Sequence, residues 1–359
     1  MIVENLHIVQ FKNHLERHFD FSSKINCFVG SNGVGKTNIL DALHYLSVGK
    51  SFLGSIESQA IAYDQDYFTL RSEIRDEDRF TLLTLNLPKE GKKTLKRNDK
   101  PYAKLSEHIG FLPSVLISPY DSNLITDSGE SRRRFLDQMI SQTDTQYLHE
   151  LMQYQKTIKQ RNALLKHFNK TRSFDLEALE IYTPALAQTA EPLYKKRVKF
   201  IESLSPLVES FYYELSGGKE KIQLSYQTQL QEKSMEELLE QNLAKDRQLT
   251  YTSSGLHKDD LDFEMNQHAL KRIASQGQQK TFLIALKLAQ IKRLMELTGK
   301  TPILLLDDIF DKLDDQRVGH LIGLLNAQNF GQMFITDTHK ERTESIVKRI
   351  HSESEIFEI

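Results

Sequence analysis

The sequence has one cysteine in 359 residues, Cys27, so an internal disulfide framework is excluded and a reducing compartment suits the chain. Cys27 lies in the apolar run Ile25-Asn26-Cys27-Phe28-Val29, where a small buried strand residue is expected rather than a reactive thiol. An excess of one charge is also missing. The 47 basic and 49 acidic residues leave a formal net charge of −2, so no global positive field draws the chain to nucleic acid. Any such affinity has to come from local basic patches or from a surface assembled on dimerisation. No apolar run approaches the roughly 20 residues that span a bilayer. The opening Met1-Ile2-Val3-Glu4-Asn5-Leu6 alternates like a strand and lacks a signal peptide's basic and apolar regions. A soluble, cytoplasmic protein with no membrane partner is expected. Hydrophobic residues make up 39% and charged residues 27%, enough to bury a sizeable core.

The patterning divides the chain. Short strands are expected at Ile2-Val3, through Leu6, Ile8 and Phe11, and at Ile25 to Val29, followed by a helix from Asn38 to Ser47. Two further strands are expected at Tyr67 to Ile74 and Arg79 to Leu87, then a hairpin turn across the Gly-Lys-rich stretch from Lys89 to Asn98. From Phe135 to Phe168 the apolar spacing predicts one long helix. A second helical stretch from Leu176 to Tyr213 should be kinked or segmented by Pro184, Pro192 and Pro206. The expected class is α/β, with residues 1–128 and 250–359 forming one lobe from both ends of the chain and 129–249 an inserted, mainly helical lobe.

Gly30-Ser31-Asn32-Gly33-Val34-Gly35-Lys36-Thr37 fits the phosphate-loop pattern G-x-x-x-x-G-K-[ST] at every fixed position, between an apolar strand and a helix. Glycines let successive amides curl around phosphates, and the helix N-terminus adds a positive dipole end. Lys36 should contact the β- and γ-phosphates of ATP, and the Thr37 hydroxyl should ligate Mg²⁺. A kinase, GTPase or helicase could carry this loop equally well.

The C-terminal third narrows the choice. Ile303-Leu304-Leu305-Leu306-Asp307-Asp308 reads as a buried parallel strand ending in two carboxylates. Asp307 would hold Mg²⁺, and Asp308 would polarise the attacking water. Phe310-Asp311-Lys312-Leu313-Asp314 resembles the D-loop of ABC ATPases. Upstream, Ser275-Gln276-Gly277-Gln278 opens a helix and resembles the ABC signature, an anion-binding Ser-Gly turn. Leu215-Ser216-Gly217-Gly218 looks more like that signature but ends a helix, and reads as a stop and turn.

With these segments goes Leu6 to Asn13, Thr37-Asn38-Ile39-Leu40-Asp41-Ala42, Ser118-Pro119-Tyr120-Asp121, Arg132 to Asp137 and Ser254 to Asp260. In order and spacing the chain resembles, end to end, the RecF family of bacterial DNA replication and repair proteins, compact relatives of SMC heads. The resemblance implies an ABC-type P-loop ATPase head with weak ATPase activity and nucleotide contacts extending to Asn38. It also implies that Ser275, Gly277 and Gln278 reach the γ-phosphate held by a second copy, so that ATP binding forms a homodimer. Duplex DNA near double-strand to single-strand junctions, the partners RecR and RecO, and promotion of RecA loading at gaps are implied in the same way. A switch histidine usually follows the last central strand in this family. Here Asp337 and Thr338 intervene, leaving Thr336 and His339 as candidates. Asp308 stands where many relatives carry Glu, which predicts slow turnover.

Three basic clusters could meet DNA phosphates: Lys92, Lys93, Lys96, Arg97, Lys100 and Lys104; Arg132 to Arg134; and Lys195, Lys196, Arg197 and Lys199. Each on its own reads first as a solvated face. His257 with Asp259 and Asp260 is a weak candidate metal group. Competing classes are a transporter ATPase, a chromosome-organising protein and a phosphotransferase; an ATPase acting mainly through protein partners is the alternative within the fold.

Overall fold

Strands Ile25–Val29, Ile303–Asp307 and Met333–Asp337 are buried at every position, as central strands of a parallel sheet covered on both faces must be. In a computed structural model they join Ser114–Ile117 and Ser354–Glu358 in one sheet, ordered 354–358, 25–29, 333–337, 303–307, 114–117 and parallel throughout. The structure describes residues 1–54, 56–309, 323–324, 330–350 and 353–359, with 348–350 as backbone alone. The D-loop-like stretch from Phe310 to Asp314 lies outside the described residues. Contacts divide the chain into two units, Met1–Ser122 with Phe211–Gly218 and Ser275–Ile359, and Asn123–Ser210 with Lys219–Ala274.

The first unit also carries a seven-stranded antiparallel sheet. Its order is His14–Asp20, Asn5–Phe11, Tyr67–Asp76, Arg79–Pro88, Thr94–Arg97 and Lys100–Pro101, with Ile2–Val3 added against Tyr67–Asp76. Leu6, Ile8, Phe68 and Leu85 from this sheet share one core with Ile39, Leu40, Leu43 and Leu46 of the helix Lys36–Val48, and with Leu305 and Phe334 of the parallel sheet. The helix behind the phosphate loop is thereby fixed by both sheets. Truncating Leu40 to alanine would cost about 2–5 kcal/mol.

Two strands of this sheet were not foreseen from patterning. The strand His14–Asp20 has only two buried residues and no alternation, so pairing with Asn5–Phe11 forms it rather than patterning. The stretch expected to be a hairpin turn from Lys89 to Asn98 contains the strand Thr94–Arg97, which points Leu95 inward. The expected turn is present at residues 89–93, joining Arg79–Pro88 to Thr94–Arg97, and a second, two-residue turn follows at Asn98 and Asp99, both left-handed with φ of 48° and 62°.

In the second unit, the helix expected from Phe135 to Phe168 is two, Gly129–Ser141 and Thr145–Thr171, because the Asp144 carboxylate accepts the Tyr147 amide and starts the second. The prolines at 192 and 206 do not segment the chain, since Thr183–Ser216 is one helix through both. An interior proline costs about 3 kcal/mol; the burial of Leu186, Leu193, Leu204 and Val208 along one face offsets it. Pro184 sits in the first turn, where no amide bond is lost. By contact, residues 250–274 belong with this unit and not with the ATPase lobe expected from 250 onward. The reason is the pairing of Asp260–Met265 with Ile222–Gln227. The helix stop expected at Gly217-Gly218 is present, both residues having positive φ.

Candidate nucleotide-binding site

The loop from Gly30 to Gly35 joins the strand Ile25–Val29 to the helix Lys36–Val48. Gly35 caps that helix with φ 107°, and a Cβ there would lie 2.4 Å from the Asn13 side chain and 2.7 Å from His14 Nε2. Only glycine fits. The Lys36 ammonium donates to the carbonyl oxygens of Gly30 at 2.8 Å and Ser31 at 2.9 Å, so its charge is folded into the loop's own concavity.

Thr37 and Asp307, 270 residues apart in sequence, meet at the end of the central strand, where the Thr37 hydroxyl donates to Asp307 Oδ1 at 2.8 Å. The same oxygen accepts from the Thr336 hydroxyl at 2.8 Å, and Thr336 Oγ1 accepts the Asp308 amide at 3.0 Å. Asp308 has φ 48°, a left-handed conformation uncommon for a carboxylate residue. The structure thus brings together Lys36, Thr37, Asp307, Asp308 and Thr336. Of the two switch candidates, Thr336 touches both acids, while His339 is exposed beside the start of the helix Lys340–Ile350, its amide bonded to Asp337.

Ser275 caps the helix Gln276–Thr298. Its hydroxyl accepts the Gln278 amide, and the Gln278 side chain returns to the Ser275 amide. Ser275 is exposed and Gly277 half-buried, so the turn faces outward. Behind the same helix, buried Lys287 donates to the Leu116 carbonyl and pairs with Asp121 at 2.7 Å, which accounts for the acid of Ser118-Pro119-Tyr120-Asp121.

Sequence patterning missed how the loop is gripped from outside. Lys12 pairs with buried Asp41 at 2.6 Å. Asn13 donates to the Val34 carbonyl at 2.9 Å and accepts from Asn38 at 2.7 Å. His14 is buried and held below its ordinary pKa chiefly by burial; its Nε2 lies 3.0 Å from the Gly35 carbonyl, which can only accept. The one visible signal was Asn13 in the opening segment, with nothing to show what it touches.

The basic clusters separate. Arg132 makes a bidentate pair with Asp260, Arg133 donates to the Asp259 carbonyl, and Arg134 pairs with Glu130. Lys195 pairs with Glu191 and Lys196 with Asp144, whereas Arg197 is fully buried and bonded to Asp137, Tyr147 and the Leu256 carbonyl. Lys92, Lys96, Lys100 and Lys104 are exposed and in no ion pair among the described residues, and Arg97 stacks over Phe111 at 4.2 Å. Lys93 of that cluster is taken up by Glu57 and the Gly49 carbonyl. His257 bonds Tyr154 and the Thr252 carbonyl, as a structural histidine does. No helix among the described residues is long and apolar enough to cross a membrane.

The sequence model described as "RecF/RecN/SMC N terminal domain" matches residues 2–355. The DNA replication and repair protein RecF of Flavobacterium johnsoniae is 48% identical over 359 residues, covering all of both chains. That of Parabacteroides distasonis is 43% identical over all of this chain and 97% of its own. A structure of the recombination mediator protein RecF-ATP in the RecFOR pathway superposes with a TM-score of 0.87 at 31% identity, covering 94% of this chain and 92% of that one. An SMC head bound to a winged-helix domain of ScpA has a TM-score of 0.57 at 16% identity over 95% of this chain and 90% of its own, a likeness of fold alone. The architecture is that of an ABC-type ATPase head.

Proposed function

Because the chain belongs to the RecF family of DNA replication and repair proteins, we propose that it is an ATP switch that grips DNA beside single-strand gaps and works with RecO and RecR to promote RecA loading. The observation that carries the nucleotide part is the cluster of Thr37, Asp307, Thr336 and Asp308 beside a complete phosphate loop. The loop amides and Lys36 bind the phosphates of ATP. Thr37 and Asp307 fit Mg²⁺, since a hydroxyl and a carboxylate oxygen already converge at 2.8 Å, the hard oxygen set this ion prefers. Bound there, the ion supplies charge neutralisation for the β- and γ-phosphates. Asp308 orients the attacking water, and Thr336 holds both acids in place. The outward Ser275 turn, with Gly277 and Gln278, reaches the nucleotide of a second copy, so the homodimer closes only with ATP.

For DNA, the free edge of the antiparallel sheet is the best-supported surface. Lys89 to Lys104 holds seven basic and two acidic residues in a chain whose net charge is −2. Arg97 and Lys100 stand directly opposite each other across the strand pair. Like charges so placed are mutually destabilising, and a phosphate backbone relieves the repulsion without base readout. Binding of a fluorescent gapped duplex, followed by anisotropy at fixed salt with ATP, ADP or no nucleotide, tests the whole proposal. Much tighter binding with ATP alone is expected. Equal, weak binding in all three states would redirect the function toward protein partners.

A further inference from the structure

The grip on the phosphate loop has a direction. In a trans peptide the carbonyl and the amide point opposite ways, and no cis bond occurs among the described residues. Asn13 holds the carbonyl of Val34, whose peptide partner is the Gly35 amide. His14 holds the carbonyl of Gly35, whose peptide partner is the Lys36 amide. The Gly35 carbonyl also accepts the Asn38 and Ile39 amides as the first link of the helix, so His14 reinforces an orientation the helix already favours. The Val34 carbonyl lies two residues before the helix, outside its hydrogen-bond ladder, and Asn13 is what fixes it. The fit around Gly35 allows no side chain between the two elements. Lys12 anchors the same hairpin through Asp41, and Asn13 Oδ1 is itself steered by Asn38.

We propose that Asn13, seconded by His14, is a positioning residue that aims the Gly35 and Lys36 amides at a bound phosphate by pulling the paired carbonyls the other way. This rests on the loop being the nucleotide-phosphate site. The hairpin between Phe11 and His14 thereby sets nucleotide affinity without touching nucleotide.

The test uses the full-length protein, wild type and the variants Asn13→Ala, Asn13→Asp and His14→Gln. ATP affinity is measured with a fluorescent analogue, kcat and KM by phosphate release, and the Gly35 amide by NMR of ¹⁵N-glycine-labelled protein. The wild-type Gly35 amide should shift downfield when ATP binds. Asn13→Ala should weaken ATP binding about tenfold, the scale of one lost orienting hydrogen bond, and should raise KM more than it lowers kcat. Asn13→Asp, which keeps size but cannot donate, should do the same. His14→Gln, which retains a donor, should stay within about twofold of wild type. An unchanged Gly35 shift in both Asn13 variants, even with weaker binding, would overturn the proposal, because general loosening would then be the cause. Wild-type affinity in both variants would overturn it too, leaving the nucleotide site intact. A wild-type protein that binds no ATP would remove the underlying site and this inference together.

Discussion

Thr336 donates to Asp307 and accepts from the Asp308 amide, so one hydroxyl fixes both acids at the end of the central strand. Thr336→Val keeps the shape and removes the hydroxyl. It should lower kcat for ATP hydrolysis by about tenfold or more while leaving nucleotide affinity near wild type; single-turnover phosphate release checks this, and an unchanged kcat would sink the assignment. Arg197 is the corresponding hub of the second unit, bonded to Asp137 and Tyr147 at full burial. Removing one partner leaves buried carboxylate uncompensated, so Arg197→Ala should destabilise by about 3–5 kcal/mol in urea unfolding. At this scale the phosphate loop and the acid pair were legible, because a loop and a strand end declare themselves by local pattern. That Thr336, rather than His339, lies against the two acids was not, since it depends on which side chain crosses to the neighbouring strand. Arg197 looked like part of a surface cluster for the same reason: charge runs do not say which member turns inward.

Elements were legible in proportion to how far their own side chains carry them. The strand Ile303–Asp307 and the helix Lys36–Val48 bury continuous apolar patterns and could be read directly. The strand His14–Asp20 exists through its neighbour's backbone, and the break at 142–144 through one capping carboxylate. The helix Lys36–Val48 also carries a titration liability. His44 on it and His108, which donates to its Leu46 carbonyl, are both pushed down to about 4, chiefly by burial. An unfolded histidine titrates near 6.5, so as pH falls the unfolded chain takes up protons first. Stability is complete above about pH 6.5 and is lost between there and 4, on the order of 2 kcal/mol per histidine at pH 5. Urea midpoints at pH 7.5 and pH 5 should show the drop, and substituting both histidines by glutamine should reduce it, leaving the part due to His257, which burial also holds at about 4, and to His14. The basic ribbon of Thr94–Arg97 and Lys100–Pro101 makes an element-level prediction as well. Reversing Lys96 and Lys100 to glutamate should weaken duplex binding and flatten its salt dependence, whereas an unchanged slope would exclude this edge.

For the whole molecule, the proposed function makes closure of two copies on a two-fold axis the step on which ATP control would depend. Ser275→Arg should leave ATP binding by the monomer intact while abolishing the ATP-induced dimer in light scattering; full dimerisation would rule out the signature turn as a trans contact. If DNA tightens with ATP, ATP must tighten with DNA by the same factor, which equilibrium titration in either order can check.

The strand order of the parallel sheet has a consequence for how the protein is made. Strand Ile25–Val29, which leads into the phosphate loop, is flanked by Met333–Asp337 and Ser354–Glu358. The antiparallel sheet, by contrast, is complete by Pro101. During synthesis, at about 5–20 residues per second, the hairpin that grips the loop is available early, while the loop's own strand waits for both neighbours. The phosphate loop, among the first elements to leave the ribosome, is therefore among the last to be finished, and a nascent chain cannot present it on a closed sheet until both C-terminal strands have been made.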